Sequence, residues 1–274
     1  MHQEASISIN GIQLYTQSWT VEKAKANVIL IHGLAEHSSR YAWTASKLNA
    51  AGINVYAFDQ RGHGKSEGLK GFIGEMSDLV SDFKQFIEQL ELDPELPKFI
   101  YAHSMGALVT SLYVLDHQPA EFRGILFSGG ALKVDPDLSP ILQKLSPIVG
   151  RLAPKLKTVK IDSSLVSQVK EEAEAYAKDP LVYHGGTYAS TGFQMLRSIK
   201  YVQSKFHKWS IPVLIMHGDA DKLIDPAGSE KMFDQIAAVD KELILWEGQY
   251  HEIMREPMKE EVLDKMTSWI LERL

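Results

Sequence analysis

The chain has no cysteine among its 274 residues. This absence excludes a disulfide framework, a cysteine-ligated metal site and a thiol nucleophile, and it fits a reducing compartment. Long apolar runs are missing as well, and residues 1–15 lack the basic and apolar regions of a signal peptide. We therefore expect neither a signal peptide nor a transmembrane helix, and we expect a cytoplasmic protein.

Basic residues are in the minority. Lys and Arg number 29 against 35 Asp and Glu, which gives a formal net charge of −6. No cluster of basic side chains offsets this acidity, so we expect no nucleic-acid partner. The sequence also lacks a low-complexity tract and a Pro/Gly/Ser-rich linker, which favours one large domain with an insertion.

Short apolar strands alternate with helices along most of the chain. Asn10-Gly11, inside the alternating stretch 5–19, predicts a hairpin of two antiparallel strands at one edge of a sheet. Further strands are predicted at 27–31, 53–58, 124–128, 212–217 and 242–246, with helices at 41–51, 77–92, 227–238 and 258–273. This alternation predicts an α/β fold with a mostly parallel central sheet and helices on both faces.

The alternation stops between residues 131 and 206. Prolines at positions 136, 140, 147 and 154 separate short apolar helices, and a polar helix is predicted at 165–178. We interpret 131–206 as an inserted, mainly helical cap (lid) on a core of residues 1–130 and 207–274. The apolar stripes of the cap favour packing over membrane contact, and a transient peripheral contact with a membrane or micelle surface through the cap stays open as the alternative.

Residues 98–108 read KFIYAHSMGAL, which predicts a strand, a sharp turn and a helix. Ala102 and Gly106 are small residues two positions before and after Ser104, so the strand and the helix can pass closely. The pattern approximates G-x-S-x-G, with alanine in place of the first glycine. We predict Ser104 at the apex of a strained turn as a nucleophile; the alternative is a small residue that only fills the turn.

A serine hydroxyl needs an imidazole that takes its proton and a carboxylate that orients the imidazole. His251 follows the last predicted strand. Asp219, Asp221 and Asp225 all follow the strand before it, and the residues alone leave the choice among them open. The order Ser, Asp, His is that of the α/β hydrolases. His217, at the end of the earlier strand, is interpreted as a satisfied or solvent-facing histidine.

An oxyanion hole needs two backbone N–H donors. Met105, directly after the serine, is expected to supply one. His32-Gly33-Leu34 follows an early strand, and we expect the Leu34 N–H as the second donor, with Gly33 letting the backbone turn inwards. The alternative is a simple loop glycine.

Five segments together resemble the motifs of the monoacylglycerol lipase and lysophospholipase group of α/β hydrolases: HGLAEHSSRY, DQRGHGKSEG, AHSMG, HGDADKLID and YHEI, within residues 31–254. The resemblance implies an α/β-hydrolase fold and serine hydrolase chemistry with no metal and no organic cofactor. It also implies Asp221 rather than Asp219 as the acid of the triad. Glu36 and Arg40 are implied to help form a polar pocket for the glycerol head group.

The sequence departs from this family at three positions and in the cap. Ala102 and Ala107 stand where the family usually has glycine, and Leu34 stands where a smaller residue is frequent. The cap does not match. The departures at Leu34 and in the cap bear on acyl preference and head-group selectivity.

The predicted reaction is hydrolysis of a monoacylglycerol, a small lipid ester, to glycerol and fatty acid. Ser104 attacks the ester and His251, held by Asp221, moves the proton. The apolar segments around 138–152 are expected to supply a tunnel for the acyl chain. Alternatives are a lysophospholipase, a short-chain carboxylesterase, a peptidase acting on N-terminal residues, and a non-catalytic binding module on the same fold.

Overall fold

The computed structural model describes residues 1–133 and 140–274. In this part of the chain, eight strands form one sheet in the order β1-β2-β4-β3-β5-β6-β7-β8. The strands are β1 (His2–Ile9), β2 (Ile12–Trp19), β3 (Ala26–Ile31), β4 (Ile53–Phe58), β5 (Lys98–His103), β6 (Phe122–Ser128), β7 (Val213–Gly218) and β8 (Lys241–Trp246). Strand β2 pairs antiparallel with β1 and β4, and the other neighbours are parallel. The predicted mostly parallel sheet is confirmed.

Helices cover both faces of the sheet, as predicted. They are α1 (Ala42–Ala50), α2 (Met76–Gln89), α3 (Met105–His117), α4 (Pro140–Leu152), α5 (Lys170–Lys178), α6 (Ala189–Lys205), α7 (Ala227–Gln235) and α8 (Lys259–Leu271). Apolar side chains of α2, α3, α6 and α7 join the core on one face. Side chains of α1 and α8 join the core on the other.

The hairpin at the edge of the sheet follows from its turn residues. Asn10 and Gly11 have φ angles of 52° and 79°. Two positive φ values in a row match the right-handed twist of the flanking strands, and Ile9 therefore pairs directly with Ile12.

Strand β5 lies at the centre of the sheet and is buried on both faces. Phe99 and Tyr101 contact the core under α1 and α8, whereas Ile100 and Ala102 contact the core under α2 and α3. This two-sided burial explains the continuous apolar run in the sequence. Because β3, β5, β7 and β8 are parallel, the loops after them meet at one edge of the sheet, where α/β proteins bind ligands.

The segment between β6 and β7 holds α4, α5 and α6. Helix α6, which the sequence did not predict, packs on α2 and α3, and α4 packs on α6. Leu138, the first residue of the 138–152 segment that was expected to supply the acyl tunnel, lies outside the described residues. Leu145, Ile148 and Leu152 of the same expected tunnel are exposed instead. No helix of the described residues is long and apolar enough to span a bilayer.

Candidate active site

Ser104 occupies a strained turn between β5 and α3. Its φ is +51° and its ψ is −118°, a conformation that costs a non-glycine residue about 1–3 kcal/mol. The turn is held by hydrogen bonds that its N–H donates to Ser128 O at 3.1 Å and its C=O accepts from Ala131 N at 3.0 Å. A Cβ on Gly106 would lie 2.4 Å from Ile31 O. The predicted small residue is therefore required, but the reason is that α3 passes close to the end of the neighbouring strand β3 rather than to β5.

The loops after β7 and β8 bring one aspartate to the candidate base. His251 Nδ1 lies 2.6 Å from Asp221 Oδ2. Asp219 accepts a hydrogen bond from the backbone N of Gly248 instead, and Asp225 forms an ion pair with a lysine side chain at 2.8 Å. Of the three aspartates, Asp221 is the one in contact with His251.

The charges of this pair fit a general base and its orienting acid. A carboxylate only accepts hydrogen bonds, so His251 Nδ1 carries a proton and Nε2 is left as the acceptor. Burial lowers the pKa of His251, but the charge and hydrogen bond of Asp221 outweigh this effect and raise it above 6.5. Burial in turn raises the pKa of Asp221, but His251 and the hydrogen bond from His217 overcome it and hold that pKa well below its usual range.

Ser104 and His251 line the same pocket, which has a volume of about 210 Å³. We call it the serine pocket. Most of its remaining wall is apolar and comes from Leu34, Ile161, Val166, Met195, Leu223 and Ile224. The lining is therefore supplied by several loops and by α6. Among the described residues, no group of three or more His, Asp or Glu side chains is arranged to hold a metal ion.

The loop after β3 approaches the serine closely. A Cβ on Gly33 would lie 2.9 Å from Ser104 Cβ, so only glycine fits there. The Gly33 N–H donates to Glu36 Oε1 at 2.6 Å and is therefore occupied. Leu34 follows it and lines the serine pocket. Met105 is the first residue of α3, so its N–H has no intrahelical acceptor.

Glu36 and Arg40 form a buried cluster behind the serine. Glu36 Oε1 accepts a hydrogen bond from Tyr41 OH at 2.7 Å, and Glu36 Oε2 lies 3.4 Å from Arg40 Nε. Arg40 Nη2 donates to Glu252 Oε2 at 2.5 Å. Glu36 lines the serine pocket, whereas Arg40 lines an adjoining pocket of about 50 Å³. Both pockets share Glu36, Glu252 and His103 in their walls.

Sequence reasoning missed His103. Its Nδ1 lies 2.9 Å from Ser128 O, so that nitrogen is protonated and Nε2 is an acceptor. Burial lowers the pKa of His103 to about 3, so the ring is neutral at pH 7. The ring lies 4.7 Å from that of His251. Its position next to the nucleophile was the available signal.

His217 has a closer relation to the site than the sequence predicted. The structure confirms that it is satisfied, but one of its partners is the candidate acid. Its Nε2 lies 3.0 Å from Asp221 Oδ2, and its Nδ1 lies 2.7 Å from Ser229 Oγ. The available signal was the spacing, because His217 ends β7 four residues before Asp221.

The sequence model of the family described as serine aminopeptidase, S33, matches residues 22–258. The chain belongs to this family. The monoacylglycerol lipase of Mycolicibacterium smegmatis is 34% identical over 268 residues, 97% of this chain and 95% of that one. The monoglyceride lipase of Mus musculus is 30% identical, covering 98% of this chain and 90% of that one. A crystal structure of the Paleococcus ferrophilus monoacylglycerol lipase superposes with a TM-score of 0.87 at 29% identity, covering 95% and 99% of the two chains. The predicted resemblance and the α/β-hydrolase fold of this S33 member are confirmed.

Proposed function

We propose that the protein hydrolyses monoacylglycerols to glycerol and a free fatty acid through an acyl-enzyme intermediate on Ser104. One observation carries the proposal: Ser104 and His251 share a pocket whose lining combines an apolar wall with the carboxylates of Glu36 and Glu252. A monoacylglycerol has one long apolar chain and two free hydroxyls on its leaving alcohol, so its site needs both kinds of lining. The names of the relatives at 29–34% identity support the same substrate.

In the first half-reaction, Ser104 Oγ attacks the ester carbonyl carbon while His251 Nε2 takes the hydroxyl proton. The carbonyl oxygen becomes an oxyanion, and the N–H groups of Leu34 and Met105 donate to it. The bond to glycerol then breaks, and His251 gives its proton to the departing alkoxide. Asp221 stabilises the imidazolium that exists between these two transfers.

In the second half-reaction, water replaces glycerol. His251 takes a proton from the water as its oxygen attacks the acyl carbon, and the same two N–H groups receive the second oxyanion. The bond to Ser104 Oγ breaks, the serine regains its proton from His251, and the fatty acid leaves.

A substrate panel and one variant test this function. Monoacylglycerols should be cleaved with higher kcat/KM than lysophospholipids or p-nitrophenyl esters of the same acyl chain. Ser104→Ala should lose several orders of magnitude in kcat and should no longer be labelled by a fluorophosphonate probe, since the nucleophile is gone. More than a few per cent of residual activity in Ser104→Ala would remove this serine as the nucleophile. A preference for lysophospholipids would keep the mechanism and replace the substrate.

Glu36 is the proposed contact for the glycerol hydroxyls, and Arg40, one layer behind it, holds Glu36 in place. Glu36 Oε1 also accepts a hydrogen bond from the Gly33 N–H. Truncation of Glu36 to alanine would therefore disturb the loop after β3 that carries Gly33 and Leu34, which we call the oxyanion loop, together with the head-group site. Glu36→Gln keeps a carbonyl oxygen for Gly33 and removes the negative charge. This variant separates the two roles.

Two substrates with the same acyl chain read out the difference. Glu36→Gln should lower kcat/KM for monoacylglycerol by about 1–3 kcal/mol, the cost of a lost buried hydrogen bond to a charged group. The p-nitrophenyl ester should lose far less, because its leaving group has no hydroxyls. Equal losses on both substrates would show that Glu36 only supports the oxyanion loop, and a general carboxylesterase would then be the better description.

We also propose that residues 145–160 contact an anionic lipid surface. The segment exposes large apolar side chains, with exposed fractions from 44% to 82%: Leu145, Ile148, Leu152, Leu156 and Val159. Residues 140–161 contain five Lys or Arg and no Asp or Glu. Apolar side chains interspersed with basic ones are typical of surfaces that bind at the lipid interface. The exposure of these side chains argues against the core packing that the sequence favoured.

Vesicle sedimentation tests this contact. Binding should be stronger to vesicles that contain phosphatidylglycerol than to pure phosphatidylcholine, and it should weaken with salt. The double variant Ile148→Ser, Leu152→Ser should bind less, whereas Leu69→Ser, which removes a leucine of 46% exposure elsewhere, should bind like the wild type. Absence of binding, or equal binding by both variants, would contradict the proposal.

A further inference from the structure

We propose that His217 is a positioning residue of the triad: it fixes the carboxylate of Asp221 and limits the negative charge that Asp221 presents to His251. The inference rests on the proposed serine hydrolase function. His217 is fully buried at the end of β7. It links Asp221 to Ser229 on α7, so that a chain of four side chains runs from the helix to the catalytic base.

The two imidazoles share one oxygen of the acid. His217 Nε2 lies 3.0 Å and His251 Nδ1 lies 2.6 Å from Asp221 Oδ2. Because the carboxylate only accepts, both nitrogens donate to it. Two donors on one oxygen compete for the same negative charge, so each weakens the attraction felt by the other.

The other oxygen of Asp221 is fixed by the backbone. Oδ1 accepts the N–H groups of Leu223 at 2.8 Å and Ile224 at 3.0 Å. These bonds set the position of the carboxylate but do not touch the oxygen that faces His251. The donor from His217 is therefore placed where it acts on the charge of that oxygen directly.

Ser229 fixes the ring of His217. Its Oγ lies 2.7 Å from Nδ1. With Nε2 donating to the carboxylate, Nδ1 is placed to accept a hydrogen bond from the Ser229 hydroxyl. The ring is thus held from both sides, and it has no access to the serine pocket, whose lining does not include it. His217 acts through Asp221 and not on the substrate.

Charged groups other than Asp221 also face His217 and His251. His217 faces Asp221 and, more weakly, Asp225, which is paired with Lys133. His251 faces Asp221 together with Glu252, Glu36 and His103. Of these charged groups, only Asp221 is hydrogen-bonded to His217. A change in His251 behaviour is then attributable to the donor lost at Asp221.

The variants His217→Gln and His217→Leu differ in whether the new side chain can donate a hydrogen bond to Asp221. Gln places its side-chain N–H₂ where His has Nε2 and so keeps the donor to Asp221, whereas Leu removes it. His217→Leu should lower kcat by about 10- to 100-fold, as expected for loss of a hydrogen bond to a charged group, with KM within about 2-fold. His217→Gln should recover most of kcat.

The pH profile of kcat/KM separates positioning from a general structural effect. In His217→Leu, Asp221 attracts the proton of His251 more strongly, so the acidic limb should move to higher pH. In His217→Gln it should stay at the wild-type position. Loss of kcat in His217→Leu with an unmoved limb, or equal defects in the two variants, would overturn the inference.

Ser229→Ala covers the case in which His217→Leu does not fold, which circular dichroism and melting temperature would show. Removal of the Ser229 hydroxyl should leave the His217 ring less firmly held. This change should lower kcat by about 3-fold and move the acidic limb of the kcat/KM profile to higher pH. A Ser229→Ala variant with the wild-type kcat, and with the acidic limb of its kcat/KM profile at the wild-type pH, would overturn the inference. Ser104→Ala is measured alongside: activity there would refute the proposed function itself, whereas an inactive Ser104→Ala with normal His217 and Ser229 variants would refute only the role of His217.

Discussion

Arg40 is the residue whose loss should disturb the buried charge cluster most. Its guanidinium lies between Glu252 Oε2 at 2.5 Å and Glu36 Oε2 at 3.4 Å, and it stacks 4.7 Å from the centroid of the Tyr176 ring. All three charged side chains are at most 8% exposed. Arg40→Met keeps most of the length of the side chain and removes its charge, which leaves two carboxylates buried without that partner.

The size of the effect follows from the partners that remain. Breaking a buried ion pair by removing one member costs about 3–5 kcal/mol. Glu252 keeps Arg255 at 3.6 Å, and Glu36 keeps the donors of Gly33 and Tyr41. We therefore expect a loss near the lower end, about 3 kcal/mol in the free energy of unfolding at neutral pH.

The loss should depend on pH. In the wild type, burial opposes ionisation of Glu36, but His103 and Arg40 overcome it and bring its pKa to about 2. His103 is neutral at pH 7, so Arg40 is the charge that acts there. Without Arg40, both carboxylates lose a cation that lowers their pKa values, so the pKa of Glu36 rises from about 2, and that of Glu252, which burial already raises above its ordinary value, rises further. The native variant then holds a proton that the unfolded chain has released, so its stability falls as pH rises.

Urea unfolding of the wild type, Arg40→Met and Arg40→Lys between pH 5 and 8 measures this effect. The wild-type contribution of Glu36 is constant over that range, since both its folded and unfolded pKa values lie below it. The gap between wild type and Arg40→Met should widen with pH, and Arg40→Lys, which keeps a cation, should lose less at every pH. A loss under about 1 kcal/mol at pH 8, or a gap that does not change with pH, would refute the reasoning.

The remaining predictions concern catalysis. Asp221→Asn should lower kcat by about 10³- to 10⁴-fold because the imidazolium loses its partner; Asp219→Asn should cost less than about 10-fold, and the reverse order in steady-state kinetics would contradict the assignment. Gly33→Ala places a Cβ 2.9 Å from the serine Cβ, so kcat should fall by about 10- to 100-fold; Gly192→Ala, whose Cβ would meet no atom within 4 Å beyond its chain neighbours and the backbone of its own helix, is the control and should leave kcat unchanged. The acidic limb of kcat/KM should lie above pH 6.5, because Asp221 raises the pKa of His251 against the effect of burial; a limb below pH 6 in the pH–rate profile would be inconsistent with this pair.

Features set by local backbone geometry could be predicted from the sequence. The turn at Ser104 could be predicted from a pattern of five residues, since its apex has a positive φ and small residues lie on either side of it; the backbone that Gly106 approaches is that of Ile31 in β3. Asn10-Gly11 fixes the edge hairpin for the same kind of reason, since its two positive φ values occur in few other residue pairs. In both cases the residues that form the recognisable pattern are neighbours in the chain.

Features set by how distant loops meet could not be predicted from the residues. Asp219, Asp221 and Asp225 follow the same strand, and nothing in their spacing decides which one reaches His251. The structure decides it, because the loop after β7 carries Asp219 to the backbone of Gly248 and Asp221 inwards. The family resemblance had implied Asp221, which is information about other sequences and not about the spacing in this one.

The cluster around Glu36 shows how much of a site a sequence motif can predict. The segment HGLAEHSSRY contains both Glu36 and Arg40, but the strongest partner of Arg40 is Glu252, which lies 212 positions away. Glu252 follows His251 directly, so the guanidinium connects the loop after β3 to the loop that carries the proposed catalytic base. The family resemblance implied that both residues bind glycerol, whereas in the structure Glu36 lines the serine pocket and Arg40 contacts Glu36 from outside that pocket. In the proposed function, head-group recognition and oxyanion geometry rest on the same carboxylate, so a change that keeps the acceptor for Gly33 while removing the charge is needed to tell them apart.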